Sequence, residues 1–382
     1  MKHQHKLYLA IALVSGSLAA APVSAKTVEV PDVDIDTYGW VNMAVMYGDT
    51  GHGSETYIVD SKYASSRFGA KISKEVEDLG VRIGTHVEFE YQHNDSKEVT
   101  PENRSINGDL EERHINVFVA GDFGQVSIGQ GSGAADGNTE IDLSGTKVAA
   151  FSNLGLMGGS LPFVAKDGTD NDVKLIQALH NQDFEQRYDR VRYDSPKFGP
   201  LSVSVSQGYK SKKGGSGSDD VTELAAKVTL PLAGKLVAGV GYSRKDVGGA
   251  VDKVDVFGGS ASWLHTSGFN LTGVYSNQDG STKGASEFYM VKTGYKTGKH
   301  SFAIHHAMGE DRTDYSQPKT GSPVPTKVAI SGSEVKAYGI SYVYAPAKWL
   351  DMYASFNNYE LSAKERSYDN INIAMTGARV KF

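Results

Sequence analysis

The stretch Val81–Gln92 constrains this chain most. Val81, Ile83, Thr85, Val87, Phe89 and Tyr91 fall on one face of an extended chain. Arg82, Gly84, His86, Glu88, Glu90 and Gln92 fall on the other. Strict period two over this length is a strand signal, and the length suits a tilted strand crossing a membrane. A soluble sandwich also alternates, but it rarely keeps an arginine, a histidine and two glutamates on one face opposite a continuous apolar face. The pattern recurs. Ile35, Val41, Val45 and Tyr47 oppose Asp36, Tyr38, Trp40 and Asn42. Phe68 and Ile72 oppose Arg67 and Lys71. Ile115, Val117 and Val119 oppose His114, Asn116 and Phe118. Leu201, Val203 and Val205 oppose Ser202, Ser204 and Ser206.

The links between these strands also alternate. Short turns such as Gly121–Gly124, Pro231–Gly234, His265–Gly268 and Lys296–Lys299 take turns with long polar links such as Gly48–Ser61, His93–Glu112, Ser211–Asp220 and Asp311–Gly332. Short turns at one end and long loops at the other are the pattern of an outer-membrane barrel. About sixteen strands can be placed, from 34–48 and 62–74 through to 367–382, an even number wide enough to leave an aqueous channel. The expected fold is therefore all-β, a 16-stranded antiparallel transmembrane β-barrel. No change of composition marks a second domain.

Composition narrows the class. A basic start (Lys2, Lys6), an apolar run Leu7–Ala21 and the small residues Val23–Ala25 read as a secretory signal peptide over residues 1–25. The barrel then occupies 26–382. Removing two lysines and no acid takes the net charge from −6 to −8, a poor balance for binding nucleic acid. There is no cysteine, so disulfides, thiol chemistry and cysteine metal sites are excluded. Mean hydropathy is −0.35, a value that misleads for a barrel because outward and inward residues average out. Tyrosine, 20 residues against 14 Phe and 3 Trp, suits the two interface girdles where a ring and a polar tip are both satisfied.

One segment breaks the pattern. Gly129–Phe163 is too long for a turn and too apolar for a plain linker. It carries Asp136, Glu140, Asp142 and Lys147 among many glycines. Loops of that length inside a compact domain are usually functional, and the expectation is that residues 131–163 fold inside the barrel.

These residues resemble the general porins of Gram-negative bacteria. Tyr38–Val45 is similar to their first strand and Ser65–Gly80 to their second strand and turn. Val119–Gln130 resembles the hairpin leading into their constriction loop, and Arg190–Tyr209 the strands after it. The terminal Phe382 resembles their outer-membrane insertion signal. The resemblance covers essentially the whole mature chain. It implies a homotrimer, with the third long loop narrowing each pore to an eyelet. The eyelet acids would be Asp136, Glu140 and Asp142. The bases would be Arg67 and Arg190, with Lys71, Arg82 and Arg192 as inward neighbours. Tyr38, Trp40, Glu88, Glu90 and Asn116 would line the lumen. The chain departs from the family at Trp40 and at Asn116, where bases are common; Arg113 lies three residues before Asn116. The implied partners are outer-membrane lipid and lipopolysaccharide, the barrel-assembly machinery acting on the C-terminal strand, and small hydrophilic solutes.

Enzyme readings find little. There is no G-x-S-x-G nucleophile motif. His305 and His306 are neighbours in a strand, so their rings point to opposite faces and cannot share a metal. His86 near Glu88 and Glu90 reads as a solvated wall, and Gly214–Ser218 as a loop with no helix behind it to cradle a phosphate. No cofactor or metal is expected. The expected function is passive diffusion of small hydrophilic solutes and ions, with weak cation preference from the thinned basic cluster. The alternative is a substrate-specific channel for a sugar, phosphate or organic acid, for which Tyr38 and Trp40 would begin an aromatic slide.

Overall fold

The computed structural model describes residues 33–167, 173–211, 217–247, 253–280, 286–310, 314–318, 325–329, 333–363 and 366–382. The expected leader, residues 1–25, lies outside the described residues, as do parts of the long links after residues 211, 247, 280 and 310. Nearly all secondary structure is antiparallel strand. One sheet holds eighteen strands. Two of these, Ser54–Asp60 and Arg366–Ser367, are short additions to longer neighbours. The other sixteen pair in chain order, and the last, Ile371–Lys381, bonds back to the first, Asp34–Asp49, from Trp40↔Lys381 to Asp49↔Asn372. The ring is closed, so no strand edge is left to pair with another chain.

The alternation places side chains as the sequence demands. Val41, Ile128, Val191, Leu224, Val291, Ile304 and Ile340 point outward and are about half exposed, giving the wall a continuous apolar outer band. Tyrosines gather near the long-link ends of the strands: Tyr47, Tyr91, Tyr209, Tyr275, Tyr289 and Tyr338 are all exposed. Phe123, Phe198, Phe269, Tyr295, Phe302, Trp349 and Phe382 gather near the short-turn ends. Two aromatic belts flanking an apolar band are what a bilayer selects. No described helix is long and apolar enough to cross a membrane; crossing is the work of strands.

Three expectations need correction. The second wall strand begins at Arg67 rather than residue 62, because Lys62–Ala64 forms a 3-10 turn. The link Gly48–Ser61 is not merely polar loop, since Ser54–Asp60 pairs with the upper half of the first strand, Met43↔Asp60 to Asp49↔Ser54. The interior segment does not end at 163. Its described residues between the strands Gly124–Ser132 and Arg187–Asp194, 133–167 and 173–186, include a two-stranded ribbon (Pro162–Phe163 with Val173–Lys174) and one helical turn, Leu175–Ala178.

Candidate functional site

The interior segment is fixed to the inward face of the wall by its own backbone. The Ala134 N–H donates to Ser206 Oγ (2.7 Å), Ile141 N–H to Ser260 Oγ (3.0 Å) and Leu143 N–H to Ser262 Oγ (2.9 Å). On the return limb, Ser276 Oγ donates to the Asn181 carbonyl (2.8 Å) and Gln182 Nε2 to Ser286 Oγ (2.8 Å). Serines suit this task because a short hydroxyl lets backbone approach backbone. Gly241 goes further: a Cβ there would lie 2.7 Å from the Phe184 ring and 2.8 Å from Ala135 Cβ. The return limb bends sharply, with Gln182, Phe184 and Gln186 all at φ between 48° and 58°, a conformation that non-glycine residues rarely hold without surrounding support.

The other end of the segment is held by apolar packing. Phe151, Leu154, Met157, Leu161 and Phe163 are buried with Met46, Tyr57, Phe288, Met290, Tyr359, Ile371 and Ile373 in one cluster. Each such side chain contributes roughly 1.5–3 kcal/mol on burial. The interior of a channel-forming barrel is generally polar. In this sector the inner wall is apolar because it carries a core shared with the segment.

Asp142 does not face open water. Its carboxylate takes an ion pair from Lys292 Nζ at 2.7 Å, with the two side chains 4 % and 0 % exposed. Lys292 also donates to the Ala150 carbonyl at 2.6 Å. Burial raises the Asp142 pKa, but Lys292 and Ser144 more than offset it and hold the group below the usual carboxylate range. Asp142 is thus a latch to the wall, not an eyelet acid. Asp136 and Glu140 stand beside a third acid that the sequence reading missed, Asp183. That carboxylate accepts from the Gly137 N–H (3.0 Å) and Thr139 Oγ1 (2.8 Å) and ties the outgoing limb to the return limb. Burial first, then the charges of Glu140 and Asp136, push the Asp183 pKa far up. Glu140 keeps a long contact to Lys147 (3.5 Å), whose ammonium also lies 4.9 Å from the Phe151 ring centre.

Across from the segment, Arg67 lies 14 % exposed between Trp40, at 4.7 Å from its ring centre, and Glu88 at 3.5 Å. Arg379 approaches the same Trp40 ring at 5.6 Å. Tyr38 OH donates to Glu88 at 2.6 Å. Trp40 therefore serves as a stacking plate for two guanidinium groups. Glu88 and Glu90 both take Arg113, and Glu90 also takes Lys62. Strict alternation backward from Asn116 would aim Arg113 at lipid. A bulge prevents this: Glu88 pairs with His114 but Phe89 pairs with Glu112, leaving Arg113 as the extra residue. Arg113 and His114 both turn inward, and His114 stacks on His86 at 4.3 Å. Asn116 is buried and donates to the Gln130 carbonyl.

The remaining expected bases divide. Arg190 donates to the Gly129 (2.9 Å) and Ser132 (3.0 Å) carbonyls. Arg192 donates to the Gly133 carbonyl (2.6 Å) and clamps Asp194. Both hold the start of the interior segment. Lys71 is exposed opposite His86. Arg82 is at the short-turn rim in a half-exposed pair with Glu75, six positions along its strand from Glu88. At about 3.3 Å per residue it lies roughly 20 Å from that cluster. Among the described residues no three His, Asp or Glu side chains gather as a metal site. His305 is buried on the inner face, while His306 is outward and stacks on Tyr338 at 4.7 Å.

The comparisons with known proteins bear on this barrel directly. A family model described as Gram-negative porin matches residues 9–364. A comparison with curated proteins found no match. Among solved structures, the anion-selective porin from Comamonas acidovorans is similar with a TM-score of 0.62 at 16% identity, covering 92% of this chain and 100% of that one. Salmonella typhi OmpF, in a complex with daunomycin, gives 0.59 at 12% identity over 91% and 97%. A trimer form of OmpT from Vibrio cholerae gives 0.55 at 17% identity over 92% and 99%.

Proposed function

Since the chain belongs to the Gram-negative porin family, we propose that it forms a water-filled channel in the outer membrane for passive diffusion of small hydrophilic solutes and ions. The observation that carries this is the pairing of an apolar, doubly belted outer face with a charged inner wall facing a fixed interior segment. A diffusion channel needs a wet lumen, a narrow point and a field across it. Residues between Ser132 and Arg187 supply the narrowing. The Arg67–Arg113–Glu88–Glu90 wall and the Asp136–Glu140 side of the segment supply the field. The protein acts as a channel rather than an enzyme.

The assembly is a homotrimer in contact with outer-membrane lipid and lipopolysaccharide. It is exported by its cleaved leader and inserted by the barrel-assembly machinery through the strand ending at Phe382. A trimer form among the structural neighbours supports the first point.

The weak cation preference expected from the sequence loses its supports. It assumed three free loop acids and a thinned basic wall. Lys292 neutralises Asp142 locally, and Arg113 supplies the base that Asn116 lacks. Purified protein in a planar bilayer should give discrete conductance steps. A folded barrel that gives none would refute the channel reading.

A further inference from the structure

The charges that these pairings leave over lie on the other side of the lumen. Lys235 and Lys296 line one hollow of ≈ 460 Å³ at the short-turn end of the wall, together with Thr266, Ser267 and Thr297. Both lysines are on the inward face. Lys235 pairs in register with Leu264, which shares its face with Ser262, the partner of the interior segment. Lys296 follows Gly294 on the face that meets Ser144, and its Cδ lies 3.6 Å from where a Cβ on Gly145 would stand. The hollow therefore begins where the interior segment ends and opens toward the short-turn mouth.

A third base continues it. Lys227 is exposed and pairs in register with Gly239, four positions along the strand from Lys235 and on the same face. Neither Lys227, Lys235 nor Lys296 enters an ion pair or side-chain hydrogen bond among the described residues. No acid lines the hollow; Asp142, the acid of the adjoining loop segment, is occupied by Lys292. Three unpaired cations with hydroxyls between two of them form an anion seat in wet surroundings, where the charges stay solvated and cost little to maintain.

We infer that Lys235 and Lys296, fed by Lys227, form a holding site for small oxyanions, phosphate or carboxylate, on the short-turn side of the narrowing. The inference rests on the channel reading and adds its solute class. A channel that binds its solute weakly just past the narrow point raises the local concentration of that solute and draws it through, provided that release stays easy. Lysine is suited to this as a hydrated point charge that does not grip as a guanidinium fork does.

The test is selectivity in planar bilayers with dilute salt, where the Debye length is about 30 Å and little is screened. Coulomb's law at about 8 Å through water gives roughly a twofold effect per lysine. The anion-to-cation permeability ratio should exceed one in the wild type. Because each lysine favours the anion and disfavours the cation by that factor, the ratio should fall by roughly tenfold or more in Lys235→Gln/Lys296→Gln and stay at the wild-type value in Lys235→Arg/Lys296→Arg. On the wild type, millimolar phosphate should reduce the chloride current more strongly than acetate, and more from one chamber than from the other. An unchanged ratio in a glutamine variant that conducts normally in concentrated salt would overturn the site and leave the channel reading intact. Equal, negligible effects of phosphate and acetate would overturn it without recourse to any variant. Absence of conductance in the folded wild type would remove both readings.

Discussion

The Lys292–Asp142 latch offers the sharpest test of how the interior segment is held. Lys292 has no exposed side-chain surface and two acceptors, Asp142 Oδ2 and the Ala150 carbonyl. Asp142→Asn leaves that ammonium fully buried with one carbonyl and a weakened partner. Lys292→Met leaves a buried carboxylate whose remaining donors both belong to Ser144, its hydroxyl and its N–H at 2.8 Å. Removing one member of a buried pair costs about 3–5 kcal/mol, because the orphaned charge is uncompensated. A closed barrel has a large reserve of hydrogen bonds, so the loss should appear as local release of residues near 140–150, not as unfolding. Replacing both partners, Lys292→Met with Asp142→Asn, buries no charge, so the double variant should recover most of the loss. The coupling in a double-mutant cycle should therefore be about 2 kcal/mol or more. Protease cleavage near Lys147, read as the equilibrium for local opening, measures each variant, and single-channel noise provides a second readout. Single variants as resistant to cleavage as the wild type would refute the latch. So would a double variant as labile as the sum of the two.

Other consequences can be measured separately. Arg113→Gln should leave Glu88 and Glu90 short of a shared cation and shift the reversal potential toward cations; an unchanged potential would mean that Arg113 is remote from the ion path. Asp183 holds its proton above the usual carboxylate range when folded, so the folded form binds more protons than the unfolded one across that interval. Its stability should fall as pH rises from about 4 through the raised value. Asp183→Asn keeps the acceptor for Gly137 and Thr139, and should flatten that dependence and raise the melting temperature at neutral pH; a parallel pH profile in the variant would contradict this. Deleting Phe382 removes the backbone pair with Gly39 and the terminal aromatic, and should lower the amount of heat-modifiable trimer recovered from outer membranes at least several-fold. Normal recovery would count against an insertion role.

Much of the architecture was legible because a membrane barrel writes its fold into alternation. The strand Val81–Gln92 was read to its ends, since turn signals bound it on both sides. Parity put Arg67, Glu88 and Glu90 on the polar faces of their strands, and the family resemblance turned those faces to the lumen. What failed was whatever depends on distance in three dimensions. Asp142 and Lys292 are 150 positions apart, and nothing local marks them as partners. Asp183 lay outside the segment first singled out, which was cut at Phe163 although the return limb around Asn181–Gln186 also packs inside. The apolar inner sector was invisible because Ile371 and Ile373 read equally well as lipid-facing. The inward turn of Arg113 was not legible because parity carries no sign of a skipped beat.

That skipped beat has a consequence for how such walls change over time. On one side of Arg113 the even-numbered positions His114 and Asn116 look inward; on the other side the odd-numbered Glu111 pairs with the inward Glu90. The strand is in effect read in two frames, and one residue sets where the frame changes. Deleting that residue would leave every other side chain in the strand intact. The two frames would then merge into one: His114 and Glu111 would still face inward and Glu112 and Leu110 outward, and the wall would lose only the Arg113 cation. The same one-residue change in a regular strand has no bulge to absorb it and exchanges the lining of a pore for its coat, a far larger step than any substitution. Length changes in wall strands should accordingly survive only where a bulge absorbs them.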